Sequence, residues 1–152
     1  MLLQEWVSAK YAGAQVFYEL RLGPTSKSLV GVQVSPAFEA MLRVANWYAD
    51  AVVVTPAEVL VIEAKVDPNP GAVGQVLFYR TLIYATPALQ AFTTMPVTPL
   101  VLFAEDDSGV TPFARGMGVR VEIYTPVWIA QYLVTRQFRN RSTPIPGTTP
   151  AA

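Results

Sequence analysis

Two β-rich runs separated by a very short connection constrain the fold of this chain more than any other feature. Residues 47–54 and 59–65 are rich in Val, Ile, Leu and Ala, and only the segment 55–58 (TPAE) lies between them. A connection of this length, with Pro at a turn position, predicts an antiparallel hairpin. Because residues equally distant from the loop face each other, the loop length also predicts the register. That register places Asp50 directly opposite Glu63.

The two opposed acids and a nearby lysine form the chemically most informative group in the sequence. Directly opposed residues have Cβ atoms roughly 4.5–5.5 Å apart, so two carboxylates placed in this way repel each other unless a cation lies between them. Because side chains alternate along a strand, Lys65 is predicted on the same face as Glu63. Mg²⁺ prefers carboxylate oxygens, and a nearby lysine can orient or deprotonate a water or stabilise charge on a phosphate. The group predicts metal-assisted phosphodiester hydrolysis.

A helix is predicted directly after the hairpin. Asn69 is a favourable N-cap, Pro70 suits the first helical position, and residues 71–84 are apolar nearly all round. Such a helix is expected to be buried against a sheet. Gln75 and Tyr79 are four residues apart on one face, so both can hydrogen-bond a phosphate or a base edge near the metal. The alternative role for this pair is helix packing, with Tyr79 in the core.

The remaining segments predict an α/β domain. The expected order of elements is αβββαβαβα in a single domain of residues 1–137, followed by a polar, proline-rich tail over 138–152 that is expected to be disordered. Besides the hairpin and its helix, we predict helices over 2–12, 109–115 and 126–137, and strands over 15–22, 99–104 and 119–124. Residues 29–35 indicate a further strand, and residues 36–45 either a short helix or an irregular loop.

Composition excludes several classes of chemistry. The 152 residues include no Cys and no His, which removes thiol nucleophiles, disulfides, zinc fingers and Ser-His-Asp triads. The 11 basic and 11 acidic side chains give zero net charge, so only a local patch could attract nucleic acid or an anionic membrane. No window reaches the roughly 18 apolar residues of a membrane span, and the first residues do not resemble a signal peptide. We therefore expect a cytoplasmic protein that does not bind membranes.

The motif that these residues compose resembles that of the PD-(D/E)xK nuclease superfamily. It consists of D-x(12)-E-A-K beginning at Asp50, and Q-x-x-x-Y beginning at Gln75 is similar to the QxxxY element of the RecB-like, lambda-exonuclease-like branch. The resemblance covers about residues 1–125, and it departs from the family at Ala49, where the family has the proline of its motif. It implies a restriction-endonuclease-like core of order αβββαβ, with a mixed central sheet flanked by helices.

The resemblance also implies a role for each residue of the motif. The implied metal ligands are Asp50, Glu63 and the backbone carbonyl of Ala64; the catalytic lysine is Lys65; the residues that position substrate are Gln75 and Tyr79. The family often adds a glutamate on the first helix, and Glu5 stands in that place as a candidate ligand. Glu19 is a competing candidate for the third acid, and a role for Glu5 at the helix N-terminus is the alternative.

The function expected from these features is hydrolysis of DNA phosphodiester bonds by a small Mg²⁺- or Mn²⁺-dependent deoxyribonuclease. Stand-alone domains of this size resemble the nucleases of phages and mobile elements, which would place the protein inside the host cell. Because the net charge is zero, a homo-oligomer or a partner protein is expected to supply additional grip on DNA. A basic cluster of Arg136, Arg139 and Arg141, and separately Arg80, could contact phosphates or simply be solvated.

Two other functions stay open at the level of sequence. The first is a non-catalytic phage-type assembly or accessory protein that retains the nuclease fold, with its acidic cluster a relic or a structural cation site. The second is a Holliday-junction resolvase or nicking enzyme, which requires a two-fold dimer with two facing sites. For Glu63 and Lys65 themselves, the alternative is an ion pair on an exposed strand face.

Overall fold

The computed structural model describes residues 1–24 and 47–141, together with positions 31, 33, 35 and 36. The first helix and three strands are α1 (Leu2–Lys10), β1 (Gln15–Arg21), β2 (Tyr48–Val54) and β3 (Val59–Lys65). The later elements, in chain order, are α2 (Pro70–Leu82), two 3₁₀ segments (Ile83–Ala85 and Pro87–Phe92), β4 (Val97–Phe103), α3 (Val110–Gly116), β5 (Arg120–Ile123) and α4 (Val127–Arg141).

The order of helices and strands in the described residues is the predicted αβββαβαβα, with differences at several ends. Helix α4 continues to Arg141, past the predicted end at Gln137, and the two 3₁₀ segments were not predicted. The rest of the expected tail, and the expected strand and helix or loop over 29–45, lie outside the described residues apart from the isolated positions named above. None of the helices described is long and apolar enough to span a membrane.

Five strands form one mixed sheet in the order β1-β2-β3-β4-β5. The pairs β1/β2 and β2/β3 are antiparallel, whereas β3/β4 and β4/β5 are parallel. This pattern brings the ends of β1, β3 and β4 and the start of β2 to the same edge of the sheet. The prediction of an α/β fold with a mixed sheet flanked by helices is therefore confirmed.

The core lies on both faces of the sheet. One cluster packs under α2 and α3 and includes Val61 and Phe103; the other packs under α1 and α4 and includes Trp6 and Ile62. Strand β3 contributes to both clusters because it is central, and its first four residues are fully buried. A central strand buried on both faces must be apolar throughout, which makes the charged residues at its end exceptional.

Helix α2 begins at the predicted residue. The side chain of Asn69 accepts a hydrogen bond of 2.9 Å from the backbone N–H of Ala72, and Pro70 is the first helical residue. The buried residues of α2 lie on one face and include Val76 and Tyr79, which press against the sheet. Because the cap fixes where the helix starts, it also fixes which side chains face the end of β3.

A network of hydrogen bonds and an ion pair lies at the opposite edge of the sheet, where β3 and β5 begin. Both Nη atoms of Arg120, at the start of β5, donate to the carboxylate of Glu58, at distances of 2.7 and 3.1 Å. The hydroxyl of Thr98 on β4 donates to the same carboxylate. These hydrogen bonds lower the pKa of Glu58, with the Arg120 bond as the largest cause. Glu58 is thus fully paired, in contrast to the glutamate at the other end of β3.

Candidate active site

The hairpin register is the one that the loop length predicts. Val54 pairs with Val59, and the ladder continues to Ala51 and Ile62, so the next positions along are Asp50 and Glu63. The backbone pairing of β2 with β3 ends at Ala51 and Ile62. Beyond it, the carboxylate Oδ2 of Asp50 accepts a hydrogen bond of 2.8 Å from the backbone N–H of Ala64. The side chain of Asp50 therefore replaces the ladder at this point and is fixed beside the end of β3.

A local irregularity in the β1/β2 pair accompanies this departure from the ladder. Tyr18 pairs with Ala51 and Leu20 with Ala49, but no pairing is recorded at Glu19 and Asp50 between them. Glu19 has a φ of 48°, in the left-handed region that non-glycine residues seldom adopt. Irregularities of this kind bend a strand and redirect a side chain, and they occur often beside active sites.

Glu63 is a buried carboxylate with only one oxygen bonded. Its side chain is 3% exposed, and Nζ of Lys65 lies 2.6 Å from its Oε1. Its Oε2 is buried and has no hydrogen-bond partner among the described residues. Burial raises the pKa of Glu63, the hydrogen bond from Lys65 opposes this change, and the charge of Asp50 raises the pKa further. An anionic oxygen without a partner in an apolar surrounding is costly, and it leaves an open coordination position.

Lys65 is the cation of the group. Burial would lower its pKa, but the hydrogen bond to Glu63 and the charges of Glu63 and Asp50 outweigh burial, so the pKa is raised overall. Its side chain is 37% exposed, so part of it is accessible from solvent. In the metal-free protein, Lys65 therefore carries its proton at neutral pH and presents positive charge beside the two acids.

The pair from α2 also reaches this group. Tyr79 is 5% exposed, and burial raises its pKa, with further contributions from the charges of Glu63 and Asp50. The side chain of Gln75 is hydrogen-bonded to Tyr79 and lowers that pKa slightly against the other causes. Tyr79 is at the same time a member of the core cluster under α2. The packing role that the sequence offers as one alternative is thus present, and Tyr79 is also close enough to Glu63 and Asp50 for their charges to raise its pKa.

The candidate ligand Glu5 is hydrogen-bonded to α4. Its Oε1 accepts a hydrogen bond of 2.9 Å from the indole N–H of Trp128 on α4. Within residues 1–24 and 47–141, no group of three or more carboxylates is arranged to hold a metal ion. The acids that the structure brings together are Asp50 and Glu63, whereas Glu5 serves the packing of α1 against α4.

The structure describes the side chains of two of the basic residues singled out in the sequence, Arg80 and Arg136. Arg136 forms an ion pair with Asp67, in the loop after β3, and Arg80 is exposed on α2. The side chains of Arg139 and Arg141 lie outside the described ones. Of the predicted cluster, Arg136 is thus engaged within the chain and holds α4 to the loop that follows Lys65.

An open cavity of about 470 Å³ lies on the α1 side of the sheet and adjoins Asp50. Its walls are the first turn of α1, the neighbouring residues Tyr18 and Glu19, and Asp50, Ala64 and Val66. This cavity is not predicted from the sequence, because its walls come from separate segments of the chain. Asp50 and Ala64 link the cavity to the carboxylate pair.

Comparisons with known proteins add no assignment: no protein-family model, curated protein or solved structure matches this chain. The chemistry of the donors is therefore the only guide to the ion. Asp50 and the Oε2 of Glu63, which has no partner among the described residues, offer hard oxygens, and the chain has neither the imidazole nitrogen of His nor the thiolate of Cys. Such a donor set suits Mg²⁺ or Mn²⁺.

Proposed function

We propose that the protein is a Mg²⁺- or Mn²⁺-dependent nuclease that hydrolyses DNA phosphodiester bonds at a PD-(D/E)xK-like site. The observation that carries the proposal is Glu63, a buried carboxylate whose Oε2 has no partner within the part of the chain that the structure describes, although it lies beside a second acid, Asp50. A fold that gained nothing from this arrangement would be more stable with an apolar side chain there. Divalent cation binding gives the unpartnered oxygen its function.

The residues that would hold the ion are Asp50, Glu63 and the backbone carbonyl of Ala64. Asp50 is already fixed by the N–H of Ala64, and this bond leaves Oδ1 available. When bound, the cation supplies Lewis acidity that polarises a phosphate and acidifies water. Binding would also remove the repulsion between the two carboxylates, which is one cause of the raised pKa of Glu63.

Three further side chains would act on the substrate. Lys65 is partly exposed, and its ammonium group would stabilise the negative charge developing on the phosphate and orient the attacking water. The exposed amide of Gln75, bonded to Tyr79, would hydrogen-bond the substrate next to the cation. A hydrogen bond between Gln75 and the buried Tyr79 would keep the amide in place, which is what a positioning residue requires.

The mixed sheet flanked by helices supports the same proposal, because the resemblance implies a core of this general kind. An antiparallel β1-β2-β3 meander followed by a parallel β4 brings the acids of β2 and β3 and the face of α2 to one edge. Because few cations are free in the described chain, we propose that a second copy or a partner protein adds to the grip on DNA. The ion pairs Lys10–Glu122 and Arg120–Glu58 illustrate how cations are neutralised locally.

A cleavage assay tests this function. Linear duplex, circular plasmid and single-stranded DNA are incubated with purified protein in Mg²⁺, in Mn²⁺ or in EDTA. Cleavage is expected with either ion and not in EDTA, and Lys65→Met is expected to reduce the rate by at least about a hundred-fold. Lys10→Met is the matched control, because Lys10 is similarly exposed and also paired to a glutamate, yet lies in another ion pair. Equal rates for both variants would contradict the assigned role of Lys65.

A non-catalytic assembly or accessory protein is the second candidate function. The specific observation in its favour is that Lys10, Arg120 and Arg136 are each paired with an acid of the chain itself, which weakens the attraction to DNA. Absence of cleavage of every DNA form, by protein with a cooperative unfolding transition, would favour this candidate over the nuclease.

A further inference from the structure

The cavity on the α1 side suggests what kind of nucleic acid the site takes. We propose that it seats one unpaired nucleobase beside the phosphate to be cleaved, so that the substrate is single-stranded DNA or a frayed end. The inference rests on the proposed nuclease function and deepens it by naming the substrate class. It is drawn from the position, shape and charge of the cavity.

The position links the cavity to the reaction. Asp50 and Ala64 form part of its wall and also belong to the proposed cation site, so a ligand inside would adjoin a phosphate bound there. The volume of about 470 Å³ lies within the range of about 300–1,000 Å³ that is usual for small-ligand sites. This space suits a single nucleotide and is too small for a stretch of duplex.

The side chains of the wall suit a base. Tyr18 lies on β1, is 42% exposed and lines the cavity, so its ring offers a surface for stacking. Leu2, Leu3 and Val66 supply apolar contacts for the edges of a planar ring. Aromatic stacking of this kind tolerates any base, because every base has a π-face. An exposed tyrosine bordering a partly apolar cavity therefore suits the stacking of a base.

The charge of the wall disfavours phosphate in the same space. Two carboxylates, Asp50 and Glu19, line the cavity against one cationic group, the α-amino group of Met1, and none of the described residues that line it is Lys or Arg, so the charge of the wall is negative overall. An anion would be repelled, whereas the N–H groups of a base edge can donate to the carboxylate of Glu19 or to the amide oxygen of Gln4. The cavity thus takes the base, and the phosphate is left to the cation and Lys65.

The position of a base inside a cavity favours a substrate whose bases are unpaired. A base within a duplex is stacked and paired, and it reaches a pocket only after it has been extruded, which costs a few kcal/mol. An already unpaired base avoids that cost. Single strands are therefore expected to bind more tightly than duplexes of the same length, although they carry fewer phosphates.

The test is a binding measurement by fluorescence anisotropy on the full-length Lys65→Met variant in Mg²⁺, which slows cleavage. Three labelled probes of equal length are compared: oligothymidylate, a strand with the same phosphates but abasic sugars, and a duplex. We expect oligothymidylate to bind at least about ten-fold more tightly than either of the others, because stacking of bases on aromatic rings dominates such binding.

Variants of the platform complete the test. Adding Tyr18→Ala is expected to weaken oligothymidylate binding by about ten-fold or more, whereas Tyr18→Phe retains it because the ring remains. The matched control is Tyr84→Ala, since Tyr84 is exposed to a similar extent, 48%, but lines a separate cavity. Equal binding of the abasic strand, or an equal loss with Tyr84→Ala, would overturn the proposal.

Failure of this inference and failure of the proposed function give different results. Wild-type protein that cleaves DNA in Mg²⁺, but binds abasic and normal strands equally in the Lys65→Met form, is a nuclease without a base site. Wild-type protein that cleaves none of the three probes is not a nuclease, and the inference falls with the function on which it rests.

Discussion

Replacing Glu63 by methionine should make the metal-free protein more stable. Methionine is of similar size and removes the buried charge together with the unpartnered Oε2. Lys65 is not left as an isolated buried charge, because it is 37% exposed and still faces Asp50. A buried polar group without a partner costs about 1–3 kcal/mol, so Glu63→Met is expected to raise the free energy of unfolding by about that amount.

The same substitution at Glu58 should have the opposite effect. Glu58 lies at the other end of β3, where it accepts two hydrogen bonds from Arg120 and one from Thr98. Glu58→Met breaks these contacts without relieving an unpartnered oxygen, so we expect it to lower the free energy of unfolding by about 1 kcal/mol. The same substitution at opposite ends of β3 is thus expected to change the free energy of unfolding with opposite sign.

The assay is thermal unfolding in EDTA at neutral pH. In a domain of this size, a change of 1 kcal/mol shifts Tm by roughly 2–4 °C, so Glu63→Met is expected to raise Tm by roughly 2–12 °C. A lower Tm for Glu63→Met than for wild type, or the same sign for both variants, would refute the reasoning. The wild type should gain Tm on addition of Mn²⁺, by mass action, and Glu63→Met should not.

The changes in the free energy of unfolding caused by Glu63→Met and by Glu58→Met should also depend on pH with opposite sign. The pKa of Glu63 is raised above its ordinary value of 4.5. The ionised side chain therefore destabilises the fold fully above the raised pKa, and this destabilisation is lost as the pH falls towards 4.5. The advantage of Glu63→Met should therefore shrink on acidification. The pKa of Glu58 is lowered, so its stabilising contribution is present above 4.5 and is lost only as the pH falls through the lowered value.

Three further substitutions give separate tests. Asn69→Ala removes the N-cap of α2 and should cost about 0.5–2 kcal/mol in urea unfolding; no loss would mean that the cap is not needed. Tyr79→Phe keeps the ring in the core but frees Gln75, so cleavage should fall at least about ten-fold while Tm changes little; unchanged cleavage would exclude the positioning role. Glu5→Gln should leave Mn²⁺ affinity unchanged, because Glu5 is bonded to Trp128; a ten-fold loss would return it to the cation site.

The parts of the fold that the sequence predicts are those that depend on local rules. A four-residue connection determines the hairpin register, so the neighbourhood of Asp50 and Glu63 is predictable without knowledge of the rest of the chain. The Asn69-Pro70 pair determines the start of α2, and the helical period then places Gln75 and Tyr79 on one face. Each of these features needs only a few consecutive residues.

The features that escape prediction depend on contacts between distant segments. The place of Glu5 is decided by how α1 packs, and its partner Trp128 is 123 residues away along the chain. The left-handed conformation of Glu19 has no signal in the sequence, since glycine is the usual residue there. The walls of the cavity come from separate segments of the chain, so the cavity is visible only in the folded chain.

Divalent cation binding by Asp50 and Glu63 is measured most directly by calorimetric titration of Mn²⁺ into the metal-free protein. One class of site is expected for the wild type, and Asp50→Asn should abolish the binding heat although it retains a side-chain oxygen to accept the N–H of Ala64. No binding to the wild type, or equal binding to Asp50→Asn, would contradict the assignment of this carboxylate pair as a metal site.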